Sequence, residues 1–209
     1  NEADFISFLK SIHKPVLVVF HTVLPRANEE LKRHVQEINS LVDSFIVMTN
    51  TSETILERDY GVSIDKINVI PHGTHLVAHS NKKVLKEKYG LTGRKIISTF
   101  GLLSSGKSIE TTIDAMQTIV QEEPNVLFLV IGKTHPSVYK NEGEKYRNSL
   151  EARIRELKLE NYVKFINNYV TLEELLEYLQ LTDIYLFTSK DRNQAVSGTF
   201  SYAISCGCP

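Results

Sequence analysis

The sequence has few cysteines, no long apolar run and no excess charge of either sign. Its only cysteines, Cys206 and Cys208, lie two apart near the C-terminus, which excludes a disulfide framework and favours a reducing compartment. With 24 basic and 25 acidic residues, the formal net charge is -1, which argues against a general polyanion-binding face, so we expect no nucleic-acid partner. The longest apolar runs, VLVVF and VLFLVI, fall well short of the about 18 residues of a membrane span. We therefore expect a cytoplasmic protein without a transmembrane segment, for which peripheral membrane contact stays open.

Glycine and proline are also sparse, at 10 and 6 residues, which excludes collagen-like and low-complexity chains. The chain is 42% hydrophobic and 23% charged, an ordinary globular composition that can build a core. It begins at Asn1 without a signal-like segment. It stops in CGCP, where Gly207 and Pro209 are typical of a helix end that leads into another strand. We expect a fragment that lacks sequence at both ends, and the oligomeric state is left open.

Short apolar runs alternate with amphipathic stretches along most of the chain, which predicts alternating strands and helices. The predicted strands are Val16–Phe20, Phe45–Thr49, Asn68–Ile70, Lys95–Phe100, Val126–Ile131, Val163–Ile166 and Ile184–Phe187. The predicted helices are residues 28–42, Ser52–Tyr60, Val84–Tyr89, Ser108–Glu122, Lys145–Leu157, a helix after a capping box of Thr171 and Glu174, and Gly198–Ser205.

The alternation pauses between Gly73 and Asn81, which predicts a linker. Repeated strand–helix units imply parallel sheets with helices on both faces. We therefore predict an α/β fold of two Rossmann-like parallel-sheet domains, over residues 1–78 and 79–209. Ligands of such sheets bind at the carboxyl ends of the strands, so the loops after the strands are the candidate sites. Three histidines near the linker lack cysteine or acidic partners, and no metal site is predicted.

The segment GLLSSGKS, Gly101 to Ser108, matches the P-loop expression, follows a predicted strand and opens a predicted helix. Backbone N–H groups at a helix N-terminus attract phosphate, and Lys107 adds a point charge. A P-loop NTPase would also use Ser108 for Mg²⁺ and an Asp at the end of a second strand. The strand Val126–Ile131 is followed by Gly132 instead. A phosphate-binding loop is predicted, with the NTPase as one alternative.

A second anion-binding element is predicted over SKDRNQAVSGTF, Ser189 to Phe200, which opens the last helix at Ser197, Gly198 and Thr199. Free N–H groups in a first helical turn favour a phosphate. Two such helix N-termini in one domain could hold both phosphates of a diphosphate. The alternative is an ordinary strand-to-helix loop in which Ser and Thr are N-caps.

The order of these motifs resembles glycosyltransferase family 4, the group 1 glycosyltransferases, which are retaining, use nucleotide sugars and have the GT-B fold. The likeness runs from about Pro15 to Pro209, through VIPHGT, GLLSSGKS, a strand ending in Gly132, and LEELLEYLQLTDIYLFTS. It implies a GT-B-like protein whose N-terminal, acceptor-side domain is truncated. Residues 1–78 would be the second half of that domain, and 79–209 most of the nucleotide-sugar domain.

The resemblance implies roles for residues in both domains. Lys107 matches the family's lysine on the donor diphosphate, with Gly101, Ser105, Gly106 and Gly132 in the same binding region. Ser197, Gly198 and Thr199 stand where the family places backbone amides against phosphates. His21, after the first strand, would approach the donor sugar; a loop histidine that caps the strand end is the alternative.

The chain departs from the family pattern at three positions. Leu102 replaces an arginine, and the two positions of the Glu-x7-Glu motif fall at Gln194 and Tyr202. Gln194 could donate hydrogen bonds to the sugar in place of a glutamate. The resemblance implies a retaining hexosyltransferase that moves a sugar from a nucleoside-diphosphate donor to a glycan or other hydroxyl acceptor and needs no cofactor. A catalytically inactive sugar-nucleotide-binding protein is the other alternative beside the NTPase.

Overall fold

A computed structural model describes residues 2–168, 170–191 and 193–209. The chain folds as two compact units. Among the described residues, the first unit comprises 2–73 with 193–198, and the second comprises 74–191 with 199–209. Residues 70–81 carry neither helix nor strand, as predicted for a linker. The domain boundary after residue 78 stays a prediction.

The first unit is a parallel sheet with its helices packed on it. Its elements are α1 (Glu2–Ser11), β1 (Leu17–Phe20), α2 (Glu29–Asn39), β2 (Ser44–Val47), α3 (Asn50–Tyr60) and β3 (Ile67–Val69). The strands follow the order β1-β2-β3, and Phe45 of β2 lies opposite Val18 of β1 and Ile67 of β3. The fully buried ring of Phe45 stacks on Phe20 with 5.2 Å between centroids. The sheet thus carries the core of this unit.

The ends of the helices in the first unit follow from local sequence. The Asn28 side chain accepts a hydrogen bond from the N–H of Leu31 at 2.8 Å and caps α2. Thr49 caps α3 in the same way, and Gly61 ends α3 in the left-handed conformation at φ 67°. Both devices satisfy backbone groups that a helix end leaves unpaired.

The second unit is a larger parallel sheet with helices on both faces. Its elements are α4 (Lys82–Lys88), β4 (Lys95–Phe100), α5 (Ile109–Glu122), β5 (Val126–Ile131), α6 (Pro136–Glu142), α7 (Lys145–Glu156), β6 (Val163–Ile166), α8 (Leu172–Leu181), β7 (Ile184–Tyr185) and α9 (Gly198–Ser205). The strand order is β6-β5-β4-β7, with Phe128 of β5 opposite Ile97 of β4 and Val163 of β6. All six residues of β5 are buried, as expected of a strand covered on both faces.

Two apolar clusters cover the faces of this sheet. One joins β5 to α5 and α7 through Ile113, Met116 and Leu150, and the other joins it to α4 and α8 through Leu85 and Leu181. The predicted capping box at the start of α8 is confirmed: Thr171 and Glu174 exchange backbone–side-chain hydrogen bonds. The predicted α/β class with parallel sheets is therefore confirmed in both units.

The structure differs from the predicted elements by two additional helices and at several element ends; α2, for example, ends at Asn39 rather than Val42. The sequence patterns did not predict α1 or α6, and α6 begins after His135, whose Nδ1 accepts from the N–H of Ser137 at 3.1 Å. Pro136 at its first position fits there because that N–H needs no partner. Strand β7 ends at Tyr185 rather than Phe187, because the following residues turn toward the loop after β4, where Thr188 bonds Lys107.

Candidate functional site

The loops after β4, β5 and β7 meet at one edge of the second unit's sheet. Because β4 lies between β5 and β7 and all pairings are parallel, the carboxyl ends of these strands are neighbours. Most of the phosphate-binding residues predicted from the sequence belong to these loops. This edge is therefore the candidate site in the second unit.

Two glycines bring the backbones of two of these loops together. Gly101 and Gly132 both have φ 134°, a conformation that residues with a Cβ rarely adopt. A Cβ on Gly132 would lie 2.1 Å from the carbonyl oxygen of Gly101. The N–H of Gly101 donates to the carbonyl of Ile131 at 3.0 Å, and the N–H of Leu103 donates to that of Lys133 at 2.8 Å. The strand ladder thus continues into the loops and fixes where they run.

The loop after β4 then forms a tight turn before α5. Residues Ser105–Lys107 form a single 3-10 turn, and Ser105 and Gly106 are exposed. Ser108 follows in the left-handed conformation at φ 52°. Its hydroxyl shares a hydrogen bond of 3.0 Å with that of Thr111, and the residue is only 8% exposed. The hydroxyl of Ser108 is therefore buried and paired in this conformation.

Lys107 is a half-buried cation without an acidic partner. Its Nζ lies 3.7 Å from the Cβ position of Gly101 and 5.9 Å from the ring centroid of Phe187. Among the described residues, none accepts a hydrogen bond from this ammonium. Burial lowers the pKa of Lys107, because desolvation disfavours the charged form. A bound anion would relieve this cost, so the arrangement is suited to binding one.

Thr199, in the first turn of α9, completes this group. Its Cγ2 lies 3.2 Å from the Cβ position of Gly101. The structure therefore brings four of the predicted residues together in the second unit: Gly101, Lys107, Gly132 and Thr199. Helix α9 begins at Gly198, and Ser197 before it is 9% exposed. Thr199 thus brings the first turn of a helix, where N–H groups lack intrahelical partners, next to Gly101.

The two residues predicted to contact the sugar, His21 and Gln194, belong to the first unit, as do Ser197 and Gly198. His21 directly follows the end of β1 and is exposed. Gln194 is half-buried and lines a cavity of about 350 Å³ together with Thr49, Thr51 and Ser52. These polar side chains could donate to and accept from hydroxyl groups of a sugar. The roles of both residues stay predictions.

Two of the departures from the family pattern place an uncharged side chain where the pattern has a charged one. Leu102 is 47% exposed and presents no charge beside Gly101. The ring of Tyr202 packs edge-on against Phe100, with 6.3 Å between centroids, and lies 5.6 Å from His75. The position of the motif's second glutamate is thus occupied by an aromatic side chain that contributes to packing.

Four residues near the lysine turn were not singled out from the sequence: Thr188, Lys190, Glu110 and Tyr146. The Thr188 hydroxyl donates to the carbonyl oxygen of Lys107 at 2.6 Å, and the N–H of Lys190 donates to that of Gly106 at 2.9 Å. Lys190 lies within the predicted second anion-binding element, but the sequence does not mark these contacts, because they join segments about 40 to 80 residues apart. Within the part of the chain that the structure describes, no group of three His, Cys, Asp or Glu side chains is arranged to hold a metal ion.

A known protein family matches the part of the chain that contains these loops. The family model described as "Glycosyl transferases group 1" matches residues 81–209, which include the whole lysine turn. A search of curated proteins finds no match. No helix in residues 2–168, 170–191 or 193–209 is both long and apolar enough to span a membrane.

Solved structures are similar across the whole chain at low sequence identity. Anabaena HepE in complex with UDP aligns with a TM-score of 0.78 and 20% identity, over 100% of this chain and 57% of that chain. A glycosyltransferase from Rickettsia africae gives 0.72 and 18%, over 98% and 52%. WaaG, a glycosyltransferase involved in lipopolysaccharide biosynthesis, gives 0.71 and 15%, over 99% and 61%. The predicted GT-B-like fold is confirmed, and the chain spans little more than half the length of these proteins.

Proposed function

The chain belongs to the glycosyl transferases group 1 family, and we propose on this basis that it is the donor-binding part of a glycosyltransferase. The second unit would bind the diphosphate of a nucleoside-diphosphate sugar at the edge formed by the loops after β4, β5 and β7. The observation that carries the proposal is Lys107, a half-buried ammonium without a hydrogen-bond acceptor among the described residues. An anion of matching charge is the ligand that such a group lacks.

The proposed roles follow from the placement of each group. Lys107 would neutralise charge on the diphosphate, and the glycines at 101 and 132 would let it approach the backbone. The exposed turn at Ser105 and Gly106, and the amides of residues 197–199 at the start of α9, would add N–H donors. HepE has been solved with UDP and with UDP-glucose, so UDP is the first donor base to test.

The reaction proposed for the whole enzyme is sugar transfer with retention of configuration. The bond from the anomeric carbon to the diphosphate oxygen breaks, the bond to an acceptor hydroxyl oxygen forms, and the hydroxyl proton passes to the departing diphosphate oxygen. Negative charge grows on the departing diphosphate, where Lys107 and the helix N-termini would stabilise it. His21 and Gln194 would contact the sugar. The acceptor is a glycan or another hydroxyl compound, and a hexose is the proposed sugar.

One observation favours a second candidate, a protein that binds the donor without transferring the sugar. Tyr202 occupies the second carboxylate position of the family motif and packs against Phe100, so a charged group is missing there. The P-loop NTPase has less support, because the Ser108 hydroxyl that would hold Mg²⁺ is buried and bonded to Thr111. This tyrosine therefore makes turnover the property to measure after binding.

Calorimetric titration of the chain with UDP, GDP, ADP and ATP, each with and without Mg²⁺, tests the proposal. We expect one nucleoside diphosphate to bind without needing Mg²⁺. Binding of ATP alone, dependent on Mg²⁺ and lost in Ser108→Ala, would refute the proposal in favour of the NTPase. Donor binding by an extended chain without sugar transfer or donor hydrolysis would support the binding protein.

A further inference from the structure

The turn that carries Lys107 is closed by backbone hydrogen bonds, from the N–H of Lys107 to the Ser104 carbonyl at 2.9 Å and from that of Ser108 to the Ser105 carbonyl at 3.3 Å, but it has no side-chain cap. Neither Ser104 nor Ser108 caps the 3-10 turn or α5 with its side chain. Ser108 adopts the left-handed conformation, which is unfavourable for a residue with a Cβ. Contacts from other segments therefore add to the turn's own bonds in fixing where it lies.

The segment after β7 supplies the first of these contacts. The Thr188 hydroxyl donates to the carbonyl oxygen of Lys107 at 2.6 Å. The N–H of Lys190 donates to the carbonyl oxygen of Gly106 at 2.9 Å. Two consecutive carbonyl groups of the turn are thus tied to one neighbouring segment, and the Lys107 side chain is left outside this bonding.

Glu110, in the first turn of α5, joins that segment to α7. Its Oε1 accepts from Nζ of Lys190 at 2.8 Å, and its Oε2 accepts from the Tyr146 hydroxyl at 2.6 Å. The Tyr146 oxygen in turn accepts from the N–H of Ile109 at 3.2 Å, which satisfies one of the unpaired donors at the start of α5. Both carboxylate oxygens are engaged, so Glu110 links three segments around the turn.

We propose that Glu110, with Lys190 and Tyr146, forms a clamp that positions Lys107 for the donor diphosphate. Glu110 is thus a positioning residue, and this inference rests on the proposed function. The charges support it: the Glu110 carboxylate bonds Lys190 rather than Lys107, so the charge of Lys107 stays available to a ligand. Pairing with Lys190 also offsets the repulsion that a lone carboxylate would exert on a bound phosphate.

The protonation of the clamp agrees with this role. Burial alone would raise the pKa of Glu110, but hydrogen bonds from Lys190 and Tyr146 outweigh it and lower the pKa. Glu110 is therefore ionised at neutral pH and can accept from both partners. The pKa of Tyr146 is raised by burial and by its bond to Glu110, so the phenol keeps the proton that it donates.

A double-mutant cycle tests the clamp. Glu110→Gln removes the charge that pairs with Lys190 and leaves one acceptor oxygen for the two donors. Glu177→Gln is a matched control because Glu177 also accepts from a lysine and a tyrosine, Lys88 and Tyr89. We expect Glu110→Gln to raise the dissociation constant of the bound nucleoside diphosphate about fivefold, and Glu177→Gln to leave it unchanged. In a Lys107→Ala background the effect of Glu110→Gln should vanish, because the clamp acts through that lysine.

The outcomes separate this proposal from the function on which it rests. If the unaltered chain binds none of UDP, GDP and ADP, the proposed function and the clamp both fail. If Lys107→Ala weakens binding while Glu110→Gln does not, or if Glu110→Gln has the same effect with and without Lys107, only the clamp is refuted. Should Glu110→Gln fail to fold, Tyr146→Phe removes one hydrogen bond to the carboxylate and should weaken binding only when Lys107 is present.

Discussion

Replacing Gly132 with alanine should destabilise the second unit more than an ordinary glycine substitution does. The new Cβ would lie 2.1 Å from the Gly101 carbonyl oxygen, and van der Waals contact begins at 3.4 Å, so the two loops must separate by about 1.3 Å. That movement breaks ladder hydrogen bonds such as those of Gly101 and Leu103. Two lost bonds cost about 2 kcal/mol, and an alanine at φ 134° adds about 1–3 kcal/mol of backbone strain. We expect a loss of about 3–5 kcal/mol in all.

Urea-induced unfolding followed by far-ultraviolet circular dichroism measures this loss. Gly90→Ala is the matched control, because Gly90 also has a positive φ, 66°, but nothing lies within 4 Å of its Cβ position. It should lose only the about 1–2 kcal/mol of a left-handed alanine. Hydrogen exchange of core amides in β4 and β5 would locate the loss in the second unit. Equal losses in the two variants would refute the close approach of the loops.

Two further predictions concern ionisable groups. Asp183 accepts from the N–H of Ile96 and from Lys86; burial would raise its pKa, but these bonds outweigh it and lower the pKa below the ordinary 3.8. The ionised Asp183 carboxylate therefore stabilises the fold at neutral pH, and this stabilisation is lost as the pH falls through the folded-state pKa. Asp183→Asn should lower the free energy of unfolding by about 1–3 kcal/mol near pH 7 and by progressively less toward about pH 2. Urea unfolding at both pH values measures this, and an equal loss at both would contradict it. The second prediction concerns Cys208, whose pKa burial raises to about 11. At about pH 8, only about a thousandth of this thiol is therefore ionised to thiolate in the folded protein, compared with about a quarter in the unfolded chain. In a Cys206→Ala variant, iodoacetamide should alkylate Cys208 at least about 100-fold more slowly in the folded protein than in the urea-unfolded protein. The alkylation rate of the folded protein should rise with pH up to about pH 11, and a rate that levels off near pH 9 would contradict this.

The fold could be predicted from the sequence where burial and local chemistry act together. The unbroken apolar run of β5 marked a strand covered on both faces, and Gly61 and the Thr171–Glu174 pair marked helix ends through bonds that depend only on nearby residues. Helices α1 and α6 could not be found in this way. In α6 the cap is a histidine, whose Nδ1 accepts from a backbone N–H, and histidine is not among the preferred N-cap residues.

The candidate site was predictable only in part, because some of its contacts join segments that are distant in the sequence. The spacing from Gly101 to Ser108 marked the turn that we propose binds phosphate, because its glycine, lysine and helix start lie close together in the sequence. The clamp around Glu110 joins side chains from α5, α7 and the segment after β7, so only the folded chain brings them together. The approach of Gly132 to Gly101 is likewise a property of neighbouring strands, 31 residues apart.

The central claim is that Lys107 holds the donor diphosphate, and its affinity for that ligand tests it most directly. Calorimetric titration with the diphosphate that binds, UDP first, would compare the unaltered chain with Lys107→Ala and with Lys164→Ala, which removes an equal charge from an exposed position on β6. Loss of a charged hydrogen bond of about 1.5–3 kcal/mol predicts binding weakened about 10- to 150-fold in Lys107→Ala and unchanged in Lys164→Ala. Equal affinity in all three proteins would contradict the account.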